Sequence, residues 1–267
     1  MWNGATYDIA PNIFWELGHN VVSINNIPDG KNINYNCGAV NVASLCKKVV
    51  EEKADIGFAF DGDGDRLIVV DDKGNEIDGD KIIALFAKYL INNKKTNSKF
   101  PVITTVMSNL GLENFLLKDL GIKLKRSAVG DINVIEEMKK NKSFLGGEQS
   151  GHIILSDFSK TGDGILAALK ITEIISIIKK SASKIFDLYD NFPQIKVNIS
   201  YKKISNKIRK KIKDLNNKNN KDKRVRVLIR FSGTEPLIRL LVEGQDLKDV
   251  KQKAKILESE IRNLIAK

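Results

Sequence analysis

The stretch from Gly57 to Gly74, "GFAFDGDGDRLIVVDDKG", sets three aspartates, Asp61, Asp63 and Asp65, alternating with glycine directly after an apolar run. "DIGFAF" reads as a buried strand and "RLIVVD" as a second one, ending in a turn at Asp72-Lys73-Gly74-Asn75. Three carboxylates held this close repel one another, which raises their pKa values or opens the loop unless a cation intervenes. Hard divalent ions take oxygen ligands, and Mg²⁺ takes only a few carboxylates beside substrate phosphate oxygens. Gly62 and Gly64 are expected to supply the backbone freedom that turns the three side chains to one point. An EF-hand fits badly: Arg66 stands where its loop needs glycine and Asp72 where it needs glutamate. The motif sits at the carboxyl end of a predicted strand, where open α/β sheets hold their ligands.

Outward from this loop the chain alternates helix and strand. Before it, "APNIFWELG" has helical apolar spacing closed by Gly18, "NVVSI" reads as a short strand, and "NVASLCKKVVEEK" reads as a helix. After it, from Gly79, "DKIIALFAKYLINN", "LENFLLKDLG" and "INVIEEMKKN" are helical. They interleave with strands at "FPVITTV", "IKLKRS" and "SFLGG". The long helix "TGDGILAALKITEIISIIKK" closes this βαβαβ unit, and a polar stretch before Pro193 reads as a linker. The last 75 residues change style, with alternating strands "QIKVNISY", "RVRVLIRF" and "PLIRLLVEG" and a final amphipathic helix "LKDVKQKAKILESEIRNLI". The predicted fold class is α/β and multi-domain. Two α/β sheet domains, the first one partial, span 1–78 and 79–188, and a small α+β domain spans 189–267.

At 267 residues, 42% hydrophobic and 29% charged, the chain is an ordinary globular one. No stretch approaches the ~20 apolar residues of a membrane helix, and the start lacks a signal pattern. Cys37 and Cys46 have no metal-like or disulfide-like spacing. Together these place the chain in the cytoplasm. The net charge of +11 is uneven: residues 1–192 hold 23 Lys+Arg against 25 Asp+Glu, and residues 193–267 hold 21 against 8. A basic block of this size invites a nucleic-acid reading. The segment "NKIRKKIKDLNNKNNKDKR" has no aromatic residue to stack on bases, which favours a solvated basic face.

Two further loops carry chemistry. "LGGEQSGHIILSD" sets Glu148, Gln149, Ser150 and His152 among glycines. A carboxylate accepts from neighbouring hydroxyls and a serine both accepts and donates, which suits a sugar. "RFSGTEPLIR" offers Arg230, Ser232, Gly233, Thr234 and Arg239, the guanidinium forks, hydroxyls and backbone N–H groups that a phosphate needs. In "RSAVGDINV", Asp131 reads more simply as a helix N-cap.

In this order, DGDGDR, GGEQSGH and RFSGTEPLIR resemble the metal, sugar and phosphate loops of the α-D-phosphohexomutase superfamily. The version with Gln149 is most similar to its phosphoglucosamine mutase branch, as are "PDGKNINYNCG" and "TGDGILAALKI". The resemblance spans essentially the whole chain. It implies the later part of a four-domain enzyme, and no stretch here matches the family's phosphoserine loop of Ser-His-Asn-Pro type. It also implies Mg²⁺ on Asp61, Asp63 and Asp65, with Arg66 beside the transferring phosphate. Glu148 and Ser150 would bind sugar hydroxyls with His152 nearby as a supporting contact, and Arg230, Ser232, Gly233, Thr234 and Arg239 would clamp the phosphate that does not react. The implied reaction interconverts glucosamine 6-phosphate and glucosamine 1-phosphate through a 1,6-bisphosphate, for UDP-N-acetylglucosamine and envelope synthesis. A phosphomannomutase/phosphoglucomutase and an inactive sugar-phosphate-binding module are the alternatives. The resemblance is compatible with a homodimer. The family usually has Arg-Tyr after Val-Gly-Asp, where this chain has Ile132-Asn133, which removes a cation from that loop.

Overall fold

The computed structural model describes residues 3–92, 100–219, 224–233 and 235–266. The chain divides into two compact units, one of Met1–Ser108 with Leu112–Tyr189, the other of Asn109–Gly111 with Asp190–Lys267.

The larger unit opens with α1 (Ile9–Glu16), which buries Ala10 and Phe14. It stops where the pattern predicts, because Gly18 takes a positive φ of +84° that L residues resist. The expected strand "NVVSI" does not form, and residues 20–24 run as irregular chain. A strand needs a partner to satisfy its ladder of N–H and C=O groups, and none lies beside this segment among the described residues. Helix α2 (Ala43–Glu52) follows and covers one face of β1 (Ile56–Phe60). The Cβ position of Gly57 lies 2.6 Å from Val49 and 3.1 Å from Leu45, so only glycine lets helix and strand approach this closely. Strands β2 (Leu67–Asp71) and β3 (Glu76–Ile77) complete an antiparallel sheet of order β1-β2-β3. The predicted turn is built by Asp71, whose Oδ1 accepts from the N–H groups of Lys73 and Asn75, both at 2.9 Å.

The second layer follows the predicted rhythm: α3 (Gly79–Asn92), β4 (Val102–Thr105), α4 (Leu110–Lys118), β5 (Leu124–Ser127), α5 (Asp131–Asn141) and β6 (Leu145–Gly147). Strands β4, β5 and β6 are parallel, and β7 (Ile153–Leu155) joins antiparallel to give the order β5-β4-β6-β7. Helix α6 (Gly164–Ile178) starts at the N-cap Asp163, whose side chain accepts from Leu166 N–H, and the short α7 (Ala182–Ile185) follows. Phe60, Leu67, Ile82, Ile83, Leu112, Leu116 and Ile171, each under 2% exposed, fill one core that runs beneath both sheets. The sheets are thereby held as a single body, with the carboxyl ends of β1, β5 and β6 each opening into a candidate loop.

The smaller unit holds β8 (Gln194–Ser200), α8 (Asn206–Asn219), β9 (Val225–Phe231), β10 (Leu237–Gly244) and α9 (Leu247–Ile265). Its antiparallel sheet, ordered β8-β10-β9, packs alternate residues such as Val227, Ile229, Ile238 and Leu240 onto Ile212, Val250, Leu257 and Ile261 of the two helices. Residues 206–219 of the basic segment form α8, in which only Ile212 is fully buried and the lysines are exposed, while 220–223 lie outside the described residues. Among the described residues no helix is long and apolar enough to cross a membrane.

Glu243 is fully buried on β10, where its carboxylate takes a charge-assisted hydrogen bond from Arg226 and one from Gln194. Removing one partner of a buried pair strands the other's charge. Arg226→Met is therefore expected to destabilise the smaller unit by about 3 kcal/mol, read as a lowered urea midpoint; an unchanged midpoint would mean that the pair is not desolvated.

Candidate active site

The loop between β1 and β2 folds so that Asp61, Asp63 and Asp65 each offer a carboxylate oxygen within 4.8 Å of the others. Only one of its two glycines is there for conformational reasons. Gly64 has φ +78°, and a Cβ there would meet Thr6 Cγ2 at 2.5 Å, whereas Gly62 has no left-handed backbone. Asp61 is 8% exposed and accepts the N–H of Arg66 at 2.8 Å, with the Arg66 Nε 3.2 Å from its other oxygen. Burial first, and the Asp65 carboxyl next to it, push Asp61 up to about 6. Asp65 moves the other way. Its burial is outweighed by Asp61 on one side and by His152 and Arg66 on the other, so it lies below the ordinary carboxylate range. One oxygen of Asp65 is buried with no hydrogen-bond partner among the described residues. Three clustered carboxylates, one already strained toward protonation and one with an unsatisfied oxygen, fit a hard divalent cation.

The loop after β6 is fastened to this one. Gly151 O accepts the N–H of Leu67 at 2.9 Å, and Arg66 and His152 pair as an isolated β-bridge. His152, expected near the sugar as a supporting contact, sits behind the loop surface. The ring is 2% exposed and engaged at both nitrogens: Nδ1 lies 3.0 Å from Asp65 Oδ2, and Nε2 accepts the N–H of Gly162 at 3.2 Å. That acceptor role puts the ring proton on Nδ1, facing the carboxylate. His152 thus ties the metal loop to the sugar loop instead of lining open space. Ser150 is exposed at the tip of the turn, and Glu148 is half-buried with its Oε1 accepting the N–H of Gly130 at 3.0 Å. Gly130 has φ +118° and opens α5, so the Gly130-Asp131 turn reaches the sugar loop through backbone. Asp131 lies inside the helix as its first residue and does not cap it. Ile132 is 66% exposed on the first turn of α5, and Asn133 donates to Val129 O at 2.8 Å.

Several supporting contacts had no signal in the sequence, even where the residue itself stood in a quoted motif. Gln149 donates to Asp78 Oδ2 at 3.2 Å and to Asp80 Oδ2 at 3.4 Å, and Gly79 N–H donates to Gln149 O at 3.0 Å. A Cβ on Gly79 would lie 2.1 Å from Glu148 O. At the other side, Gly164 N–H donates to Gly64 O at 2.9 Å, and a Cβ on Gly162 would strike the His152 ring at 2.4 Å. The "TGDG" motif is therefore a seat for both loops. Ala5 N–H donates to Gly62 O at 2.8 Å, so residues near the start of the chain also brace the metal loop.

In the smaller unit, Arg230 and Arg239 are register partners across β9 and β10. Burial first, and then the Arg239 guanidinium beside it, hold Arg230 below its ordinary value. The Nε of each arginine is buried with no hydrogen-bond partner among the described residues, while Arg239 Nη2 is 2.7 Å from Glu235. Two adjoining guanidinium groups with unused donors suit an anion. Ser232 N–H is already spent on Leu237 O at 2.8 Å, and a Cβ on Gly233 would meet nothing within 4 Å. Thr234 lies outside the described residues.

With this geometry in place, comparison with known proteins is specific. Three models of the phosphoglucomutase/phosphomannomutase family match in order: alpha/beta/alpha domain II over residues 1–74, alpha/beta/alpha domain III over 78–192 and the C-terminal domain over 195–259. The chain belongs to this family, the α-D-phosphohexomutases, and within it is most like the phosphoglucosamine mutases. The phosphoglucosamine mutase of Nautilia profundicola is 50% identical over 252 residues, which cover 94% of this chain and 56% of that protein. That of Campylobacter jejuni is 46% identical over 268 residues, covering 98% and 57%. The chain thus spans a little over half the length of these relatives. Among solved structures, a phosphoglucomutase/phosphomannomutase family protein from Burkholderia thailandensis superimposes with a TM-score of 0.80 at 21% identity, covering 98% of this chain and 59% of that one. An Aspergillus fumigatus N-acetylphosphoglucosamine mutase, solved with GlcNAc-6P and magnesium, gives 0.62 at 18% identity, covering 87% and 57%.

Two measurements test the site. Asp63 is exposed and has no side-chain hydrogen bond or ion pair among the described residues, so Asp63→Asn is expected to weaken Mn²⁺ binding by about tenfold or more, read by EPR, with the melting temperature unchanged. Gly79→Ala forces a methyl into the backbone of the sugar loop and is expected to cost about 1–3 kcal/mol, with amide NMR shifts concentrated at residues 148–152.

Proposed function

We propose that this chain supplies the metal, sugar and phosphate loops of a phosphoglucosamine mutase, acting on glucosamine 6-phosphate and glucosamine 1-phosphate in the cytoplasm. One observation carries the reading. Asp65 and Glu148, from loops expected to serve the phosphoryl group and the sugar, are locked into one body by His152 and Gly151. Relatives at 46–50% identity that carry the mutase name support the choice of substrate.

The chemistry is phosphoryl transfer, in which placement and charge neutralisation do most of the work. Asp61, Asp63 and Asp65 would hold Mg²⁺, which when bound offsets charge on the transferring phosphoryl group. Arg66, half exposed beside Asp61, is placed to add a guanidinium to the same phosphate. Glu148 and Ser150 orient the hexosamine through its hydroxyls. Arg230 and Arg239 take the phosphate that does not react. The phosphoryl donor is a serine outside this sequence: its O–P bond breaks as a new O–P bond forms to the sugar. The resulting 1,6-bisphosphate then returns its other phosphate to that serine. A glucose or glucosamine 1,6-bisphosphate would prime the cycle.

Because the serine loop is not among these residues, the purified chain is expected to bind glucosamine 6-phosphate with Mg²⁺ but not convert it. Calorimetric titration gives the first result and a coupled assay for glucosamine 1-phosphate the second. Turnover without any other mutase present would overturn the placing of the nucleophile, and preferential binding of mannose 6-phosphate would favour the phosphomannomutase alternative. Arg230→Met is expected to weaken binding by about tenfold or more, the value of a lost hydrogen bond to a charged group. Ile132→Arg, which puts the family's usual cation on the first turn of α5, two residues after the Gly130 that donates to Glu148, is expected to tighten it by up to about fivefold.

A further inference from the structure

The phosphate loop leaves β9 after Phe231 and returns to β10 at Leu237. Its tip has room around it, since a Cβ on Gly233 would meet nothing within 4 Å, so its position is set at its base. Strand alternation sends the last two residues of β9 to opposite faces. Arg230 lies beside Arg239 on the face turned from the helices, while Phe231 packs on the core beneath α8 and α9.

Several contacts hold that base from the helix side. Arg209 of α8 lies over the Phe231 ring, 4.7 Å from its centre. Tyr201 meets the same ring edge-on at 6.2 Å, and its N–H donates to Pro236 O at 3.1 Å, so one residue holds both limbs of the loop. Two turns further along α8, on the same side of the helix, Asn216 Oδ1 accepts the N–H of Ile229 at 2.8 Å. Arg209 differs from the other cations of α8. Lys207, Lys210, Lys211, Lys213 and Lys218 are exposed, whereas Arg209 is half-buried, and its guanidinium has no ion pair or hydrogen bond among the described residues. Its charge is thus directed at the face of a ring, where a partly desolvated cation is favoured.

We propose that Arg209 is a positioning residue for the phosphate loop. Its guanidinium, seated on Phe231, pins the end of β9 from behind, so that Arg230 on the other face and Ser232 in the loop are in place before an anion arrives. Arg209 itself makes no contact with the phosphate. A loop ordered in advance loses less freedom on binding, which raises affinity without adding a contact. The charge is needed, because the stem of the side chain alone would cover the ring without attracting it. This role rests on the reading of Arg230 and Arg239 as the subsite for the phosphate that does not react.

Variants of the 267-residue chain test it by calorimetric titration with glucosamine 6-phosphate and Mg²⁺. Arg209→Met keeps an apolar stem on the ring and removes the charge, and is expected to weaken binding by about three- to fivefold. Arg209→Lys, which keeps a cation, is expected to restore most of that loss. In the free chain, the amide heteronuclear NOE at Ser232, Gly233 and Glu235 is expected to fall in Arg209→Met and to recover in Arg209→Lys, with α9 unchanged. Equal affinity of Arg209→Met and the parent chain would overturn the proposal. So would weaker binding with an unchanged NOE at the loop, or an equal loss in Arg209→Met and Arg209→Lys. An Arg209 Nε–H signal that shifts on titration as far as those of Arg230 and Arg239 would make Arg209 a direct ligand and overturn it too. Arg230→Met separates the two levels. If it weakens binding while Arg209→Met does not, only the positioning role fails; if neither does, the phosphate subsite fails with it.

Discussion

The larger unit depends on the contact between His152 and Asp65. A carboxylate triad is self-repelling, and a loop of three aspartates would drift open without a counterweight. His152 provides one from the protein side. Its Nδ1 faces Asp65, and its Nε2 is held by the backbone of Gly162, so neither ring nor carboxylate can turn freely. Since the ring is buried, the contact works at low dielectric, where a hydrogen bond to a charged group is strongest.

The neighbouring residues make sense around that contact. Gly162 must be glycine because the imidazole occupies the space of its Cβ, and Gly164 and Gly151 must be glycine because backbone of the metal loop and of β2 does. Gln149, clasped by Asp78 and Asp80, fixes the far side of the sugar loop, while Gly130 fixes Glu148. The polar groups whose chemistry suits a ligand, Glu148, Ser150 and Arg66, keep some exposure, while His152, Gly151, Asp61 and Asp80 behind them are buried and Gln149 and Gly130 are half-buried. This separation between rigid support and accessible face is what phosphoryl transfer, with little covalent work for the protein, requires.

The smaller unit solves a different problem with the same economy of parts. Arg230 and Arg239 repel each other across paired strands, and burial deepens the cost. Glu235 offsets part of it for Arg239 alone. A residual excess of buried positive charge suits the phosphate proposed for this surface, whose own charge would complete the balance. The lysines of α8 are exposed, and the helix instead lays Arg209 over the Phe231 ring at 4.7 Å.

Much of this was legible in the residues themselves. The Asp-Gly alternation after an apolar run pointed to the carboxylate cluster, and the fold does bring Asp61, Asp63 and Asp65 together, a grouping that could hold a cation. The helical and strand periods gave the order of nearly all elements, because those patterns record which side of each element faces the core. What sequence could not supply was anything that depends on neighbours far along the chain. "NVVSI" has the composition of a strand but no partner to complete its hydrogen bonds, and pairing is a property of two segments. His152 looked like a ligand contact until its depth was known. Gln149's clasp by residues seventy positions earlier, Gly79's fit against Glu148 and Arg209's seat on Phe231 exist only once the elements are packed together. Local chemistry determined which groups are present; tertiary packing decided which are buried, which are joined and which remain exposed.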